Sequence, residues 1–82
     1  MNVYTTKFMN ISVWSTARKA VESVKRSCAG GELECYDDDK LHEKNIDDIS
    51  VEQLIAHLGK HGMFRIDLGD HDWEEVEKIR VY

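Results

Sequence analysis

The apolar positions of this chain switch between a period of two and a helical period four times along 82 residues, with no proline anywhere. A period of two sets alternate side chains on opposite faces of a strand, and a period near 3.6 lines one side of a helix. Few folds accommodate that order of switches. Residues 2–9, NVYTTKFM, put Tyr4, Thr6 and Phe8 on one face and Val3, Thr5 and Lys7 on the other, which predicts a strand. Trp14, Ala17, Val21, Val24 and Cys28 then fall at helical spacing with Ala20 beside them, and Ser12 or Ser15 suits the N-cap. Gly30-Gly31 stops this first helix, because glycine tolerates the left-handed backbone at a helix end. Its outer face carries Arg18, Lys19, Glu22, Lys25 and Arg26, with i,i+4 pairs Arg18–Glu22 and Glu22–Arg26.

Residues 32–36, ELECY, alternate again, with Leu33 and Cys35 inward and Glu32, Glu34 and Tyr36 outward, and predict a second strand. A loop follows to about Asp48, pinned by Leu41 and Ile46. Ser50 and Gln53 form a capping box, Ile49 and Leu54 a hydrophobic staple, and Val51, Leu54, Ile55 and Leu58 an apolar stripe. This second helix ends at Gly59 or Gly62, with Lys60 and His61 suited to its negative end. Phe64, Ile66 and Leu68 alternate on the inner face of a strand over 63–68, and Gly69-Asp70 turns the chain; the tail from Trp73 fits either a helix through Trp73, Val76, Ile79 and Arg80 or, better, a strand, so about 75–82 is expected to return as the hairpin partner. The order is β-α-β-α-β-β. It predicts one small α+β domain over residues 1–82, a two-layer sandwich of two helices on a mainly antiparallel sheet of about four strands. The expected core is Phe8, Trp14, Ala17, Val21, Val24, Leu33, Cys35, Leu54, Ile55, Leu58, Phe64, Ile66 and Leu68.

A chain of this size buries only about 60–65% of its unfolded surface, so a binding partner or a second copy would stabilise it. The last strand is expected at a sheet edge, where it could pair with a second copy in a homodimer. No apolar run approaches the roughly 18 residues needed to cross a membrane, and MNVYTTKFMN has none of the features of a secretory leader. A cytoplasmic protein is expected, with Cys28 and Cys35 as thiols and Cys35 buried as a small hydrophobe.

Charge is distributed unevenly. Residues 1–31 hold five bases against Glu22, net +4; residues 32–48 hold eight acids against Lys40 and Lys44, net −6; residues 49–82 add net −3. Such asymmetry bears on partners and steering rather than on fold. The acidic stretch offers Asp37, Asp38, Asp39, Glu43, Asp47 and Asp48 to a basic protein surface, with Tyr36 as a packing anchor and Trp73 and Tyr82 as further aromatic candidates. In the alternative, Arg18, Lys19, Lys25 and Arg26 on the first helix contact phosphates of a nucleic acid while Trp14 or Tyr4 stacks on bases; the overall charge of −5 opposes this.

Motifs for catalysis are missing from the sequence. No glycine-rich phosphate cradle, nucleophile elbow or reactive-cysteine context is present, so no enzyme and no cofactor is expected. His57 and His61 are spaced as two zinc ligands on a helix would be, with Asp70, His71 or Asp72 as a third, but HExxH is absent and two donors make no zinc site, so no metal is expected. Asp37-Asp38-Asp39 lacks the alternate spacing and central glycine of a calcium loop.

In build, being short, acidic and without catalytic motifs, the chain resembles small phage-encoded or mobile-element proteins that block a host machine, such as anti-CRISPR proteins and nuclease inhibitors. The resemblance rests on no motif and transfers no site residue. What it implies is an anti-defence inhibitor that occupies a positively charged surface of a nucleic-acid-handling complex.

Overall fold

The computed structural model describes residues 1–7, 11–35 and 38–81. It is α+β, with two helices on one face of a five-stranded antiparallel sheet. The elements are β1 (Asn2–Thr6), β2 (Ser12–Trp14), α1 (Ala17–Ser27), β3 (Glu32–Glu34), a 3₁₀ turn (Ile46–Asp48), α2 (Val51–His61), β4 (Met63–Gly69) and β5 (Asp72–Arg80). The sheet order is β2-β1-β5-β4-β3.

Two features of this order correct the sequence reading. First, Ser12–Trp14 is a strand, not the start of the helix. It pairs with β1, Tyr4 opposite Trp14, and the Trp14 indole donates to the Thr6 hydroxyl at 3.0 Å. The helix therefore begins at Ala17, with Thr16 rather than Ser12 or Ser15 as N-cap, its hydroxyl accepting the Lys19 N–H at 3.2 Å. Second, β5 is central. It starts at Asp72 and pairs with β4 on one side and β1 on the other, so the sheet edges are β2 and β3. β5 thus has no free edge to offer a second copy.

The hairpin turn after β4 has positive φ at Asp70 and His71, the geometry that a two-residue loop needs to match strand twist. The second helix follows its sequence signals. Ser50 and Gln53 complete the capping box, Ile49 and Leu54 are both buried, and Gly62 rather than Gly59 ends the helix at φ 81°.

α1 and α2 pack on each other and on the inner face of β1, β4 and β5. The core between them is Ala20, Val21, Val24, Cys28, Leu33, Ile46, Ile49, Leu54, Leu58, Phe64, Ile66 and Val76. Trp14, Ala17, Cys35, Ile55 and Leu68 lie at its margin, partly buried. Of the two thiols Cys28 is the buried one, and burial pushes it up. Ile46 does pin the acidic loop, at 0% exposure, and Leu41 packs against the core. The chain following Glu43 runs along the outer edge of β3, with a Glu32–Asn45 bridge and the Ile46 N–H donating to Gly31 O at 2.8 Å. β3 itself is shorter than expected, ending at Glu34. The expectations for Phe8, Tyr36, Asp37 and Tyr82 lie outside the described residues.

Candidate functional site

The helices cover one face of the sheet. On the other, strand alternation turns Glu32 and Glu34 of β3, Met63, Arg65 and Asp67 of β4, and Trp73, Glu75, Glu77 and Ile79 of β5 outward. The middle of this face is a charge ladder. Lys7 reaches Glu75 at 2.9 Å and Glu77 at 3.2 Å, and Arg65 reaches Glu75 at 3.3 Å. Lys7 and Arg65 together hold the Glu75 carboxyl below its ordinary range, the Lys7 hydrogen bond contributing most.

Toward the β4–β5 turn the balance becomes acidic. Glu32 sits directly opposite Asp67, and Asp67 directly opposite Trp73. No ion pair to Glu32 or Asp67 is found among the described residues. Trp73 is 55% exposed, with the Arg65 guanidinium 5.7 Å from its ring. A cleft of about 420 Å³ runs here, its lining including Glu34, Arg65, Asp67, Asp70, Asp72 and Trp73.

Most of the described acids of the acidic loop are exposed, and Asp39 is the exception. Asp38, Glu43 and Asp48 are exposed. Asp47 is exposed but engaged, its Oδ2 accepting the Gly30 N–H at 3.1 Å. Asp39 is turned inward onto α2. Its Oδ1 accepts the Leu41 N–H at 2.9 Å, and its Oδ2 lies 3.6 Å from His57 Nδ1 and 3.5 Å from His61 Nε2. The Leu41 hydrogen bond, then the two imidazoles, hold this carboxyl below its ordinary range. Burial pushes His57 down, against the pull of Asp39. Cys35 comes to the same place: ligand atoms of Cys35, Asp39 and His57 lie within 4.8 Å of one another. The Cys35 N–H donates to His42 Nδ1 at 3.2 Å, which fixes the backbone beside the thiol. Asp70, His71 and Asp72, the expected third ligands, are instead at the tip of the β4–β5 hairpin.

The basic face of α1 is partly engaged within the fold. Arg18 pairs with Glu52 of α2 at 3.4 Å rather than with Glu22, and the Lys25 ammonium donates to Ile49 O. Lys19 and Arg26 are exposed, with no ion pair among the described residues.

Sequence alternation alone could place Glu32, Asp67 and Trp73 on an outer face. Their mutual opposition needed the register of three strands. The approach of Cys35 and Asp39 to His57 had no sequence signal, since it depends on the path of a loop. No known family, no curated protein and no solved structure matches the chain.

Proposed function

We propose that the protein is a small acidic binding module that occupies a positively charged surface of another protein, through the uncovered sheet face at β3, β4 and β5. The observation that carries this reading is the apposition of Glu32 and Asp67 beside an exposed Trp73. Like charges directly opposite across a sheet destabilise it, and a tryptophan left 55% exposed gains only part of the burial energy open to it. Both features become favourable against a cationic partner: carboxylates pair with lysine or arginine, and the indole supplies a flat apolar anchor of the kind that dominates interface energetics. Asp70 and Asp72 at the hairpin tip and Glu34 on the edge strand extend the same sign of charge. Asp38, Glu43 and Asp48 continue it along the loop that flanks β3.

A surface of this kind mimics the charge of a nucleic acid. The partner chemistry that fits is a basic groove of a nucleic-acid-handling protein, and the outcome of binding is inhibition by occupancy, with no chemical step. Binding through Arg18, Lys19, Lys25 and Arg26 to nucleic acid has less support, because Arg18 and Lys25 have partners within the fold.

The test is retention of proteins from a lysate of the source cells at low and high salt, followed by reconstitution with the purified partner. Wild type is compared with a Trp73→Ala, Asp67→Asn double variant. The reading predicts a basic partner whose affinity falls at least about tenfold in the variant and with rising salt. Equal affinity of both forms, or nuclease-sensitive retention of nucleic acid by both, would contradict it.

A further inference from the structure

We propose that Cys35, Asp39, His57 and His61 form a transition-metal site selective for zinc(II), which fastens the acidic loop to the second helix. Its ligands are not residues of the sheet face assigned above, although Glu34 and Arg65 line both clefts, and the site does not depend on that assignment. Three observations converge on it.

The first is donor geometry. Asp39 Oδ2 is flanked by two imidazole nitrogens at 3.6 and 3.5 Å. These separations exceed the N–O distance of a hydrogen bond, about 2.7–3.2 Å. They match neighbouring donors around one tetrahedral zinc: with Zn–N and Zn–O near 2.0 Å and Zn–S near 2.3 Å, adjacent donors sit about 3.3–3.6 Å apart. The thiol lies just outside that spacing, all three donors of Cys35, Asp39 and His57 being within 4.8 Å of one another. Completing the set takes a closure of roughly an ångström or somewhat more, and His61, which is near Asp39 but not within 4.8 Å of every donor, must move in with the others.

The second is an orphaned polar atom. His57 is 6% exposed, and its Nε2 is buried with no hydrogen-bond partner among the described residues. A buried imidazole nitrogen without a partner is costly unless something else satisfies the ring. A metal would take Nδ1, the nitrogen that faces Asp39 Oδ2; its binding energy, not a bond to Nε2, is what would offset the cost of burying the ring. The two rings stand 4.5 Å apart, centroid to centroid, on the same side of α2, as i,i+4 histidines do when they share a metal.

The third is support around the donors. The second oxygen of Asp39 is already occupied by the Leu41 N–H, which leaves Oδ2 aimed at the cluster. His42 holds the Cys35 backbone, and Phe64 packs edge-on against His57 at 6.2 Å. Such supporting contacts orient ligands and raise affinity. A cleft of about 270 Å³, lined by Glu34, Cys35, His57, His61, Met63 and Phe64, gives an ion access to the cluster. Thiolate with imidazole and carboxylate is a donor set for zinc, not for calcium or magnesium, which take oxygen ligands.

The test is titration of metal-stripped protein, purified without a histidine tag, first with cobalt(II) and then with zinc(II) as competitor. The proposal predicts one equivalent of cobalt, the visible bands of a tetrahedral ion, a thiolate-to-cobalt charge-transfer band, and displacement by one equivalent of zinc. Cys35→Ser should abolish the charge-transfer band. Asp39→Asn should weaken binding at least about tenfold, and His71→Ala, at the distant hairpin tip, should leave it unchanged. Both ligand substitutions are close in size to the native side chains, and circular dichroism of each variant without metal should match wild type. The absence of stoichiometric binding overturns the site. So does a wild-type complex without a thiolate band, or affinity that survives both Cys35→Ser and Asp39→Asn.

Discussion

Glu32 on β3 stands directly opposite Asp67 on β4, both on the face of the sheet that the helices leave uncovered. A chain selected for stability alone would place a cation at one of the two positions. Glu32→Lys is therefore expected to stabilise the fold by about 0.2–1 kcal/mol, read as a rise in denaturation midpoint. The same substitution should weaken partner binding. A variant that gained stability and kept full affinity would separate the two effects and remove the like-charge pair from the interface.

Glu74 is the buried counterpart of these exposed acids. It is 3% exposed on the helix side of β5, and its Oε1 accepts the backbone N–H of Lys7 at 2.7 Å and of Glu75 at 2.9 Å. The carboxylate thereby ties the end of β1 to the central strand. Glu74→Ala should leave both donors without this acceptor and cost about 2–4 kcal/mol in chemical denaturation, with Glu74→Gln costing less because one oxygen remains. Equal losses in the two variants would show that the hydrogen bonds are not what matters there.

Two glycines have opposite roles. A Cβ at Gly31 would meet Ile66 Cγ2 at 2.6 Å and the Asp67 carbonyl at 3.0 Å, so the close passage of the chain against β4 requires its absence. Gly31→Ala should destabilise by about 1–3 kcal/mol. Gly59 lies inside α2, where a Cβ would have nothing within 4 Å, and Gly59→Ala should stabilise by about 0.5–1 kcal/mol through helix propensity. Thermal melts of the two alanine variants against wild type check both signs.

Glu75 gives the sheet face a pH dependence. Its carboxyl titrates below the ordinary range because Lys7 and Arg65 stabilise the charged form. A carboxylate depressed in the folded state contributes stability that is present above its unfolded pKa and lost as pH falls through its folded pKa. Glu75→Gln should accordingly lower stability at neutral pH and make little difference in strong acid. Its cations are largely exposed, so the effect should stay below about 1 kcal/mol and shrink in salt. A pH-independent difference between the two proteins would indicate packing instead.

The second helix and β4 are legible in the sequence because their signals are local, whereas the tail fits both helix and strand patterns and its strand begins earlier than expected, at Asp72. Ser50, Gln53 and Gly62 specify helix ends by backbone hydrogen bonding, and Phe64-Arg65-Ile66 specifies a strand by alternation. The periodicity starts the first helix too early because Trp14 satisfies two patterns at once. It falls at helical spacing with Ala17 and Val21, yet Ser12–Trp14 pairs with β1 and the Trp14 indole donates to Thr6. The central place of β5 is not legible, since strand order depends on long-range pairing that no local pattern encodes. The same limit applies to the sites. Acid density singles out the loop, but backbone geometry decides that Asp39 points inward while Asp67 and Asp72 remain outside.

Amide hydrogen exchange on the protein with and without its purified partner shows whether the uncovered sheet face is the interface. The account predicts added protection at the β3 edge and the β4–β5 turn, around Glu32, Asp67 and Trp73, with α1 unchanged. Protection confined to α1 at Arg18, Lys19, Lys25 and Arg26, with the sheet face exchanging as in the unbound protein, would contradict it.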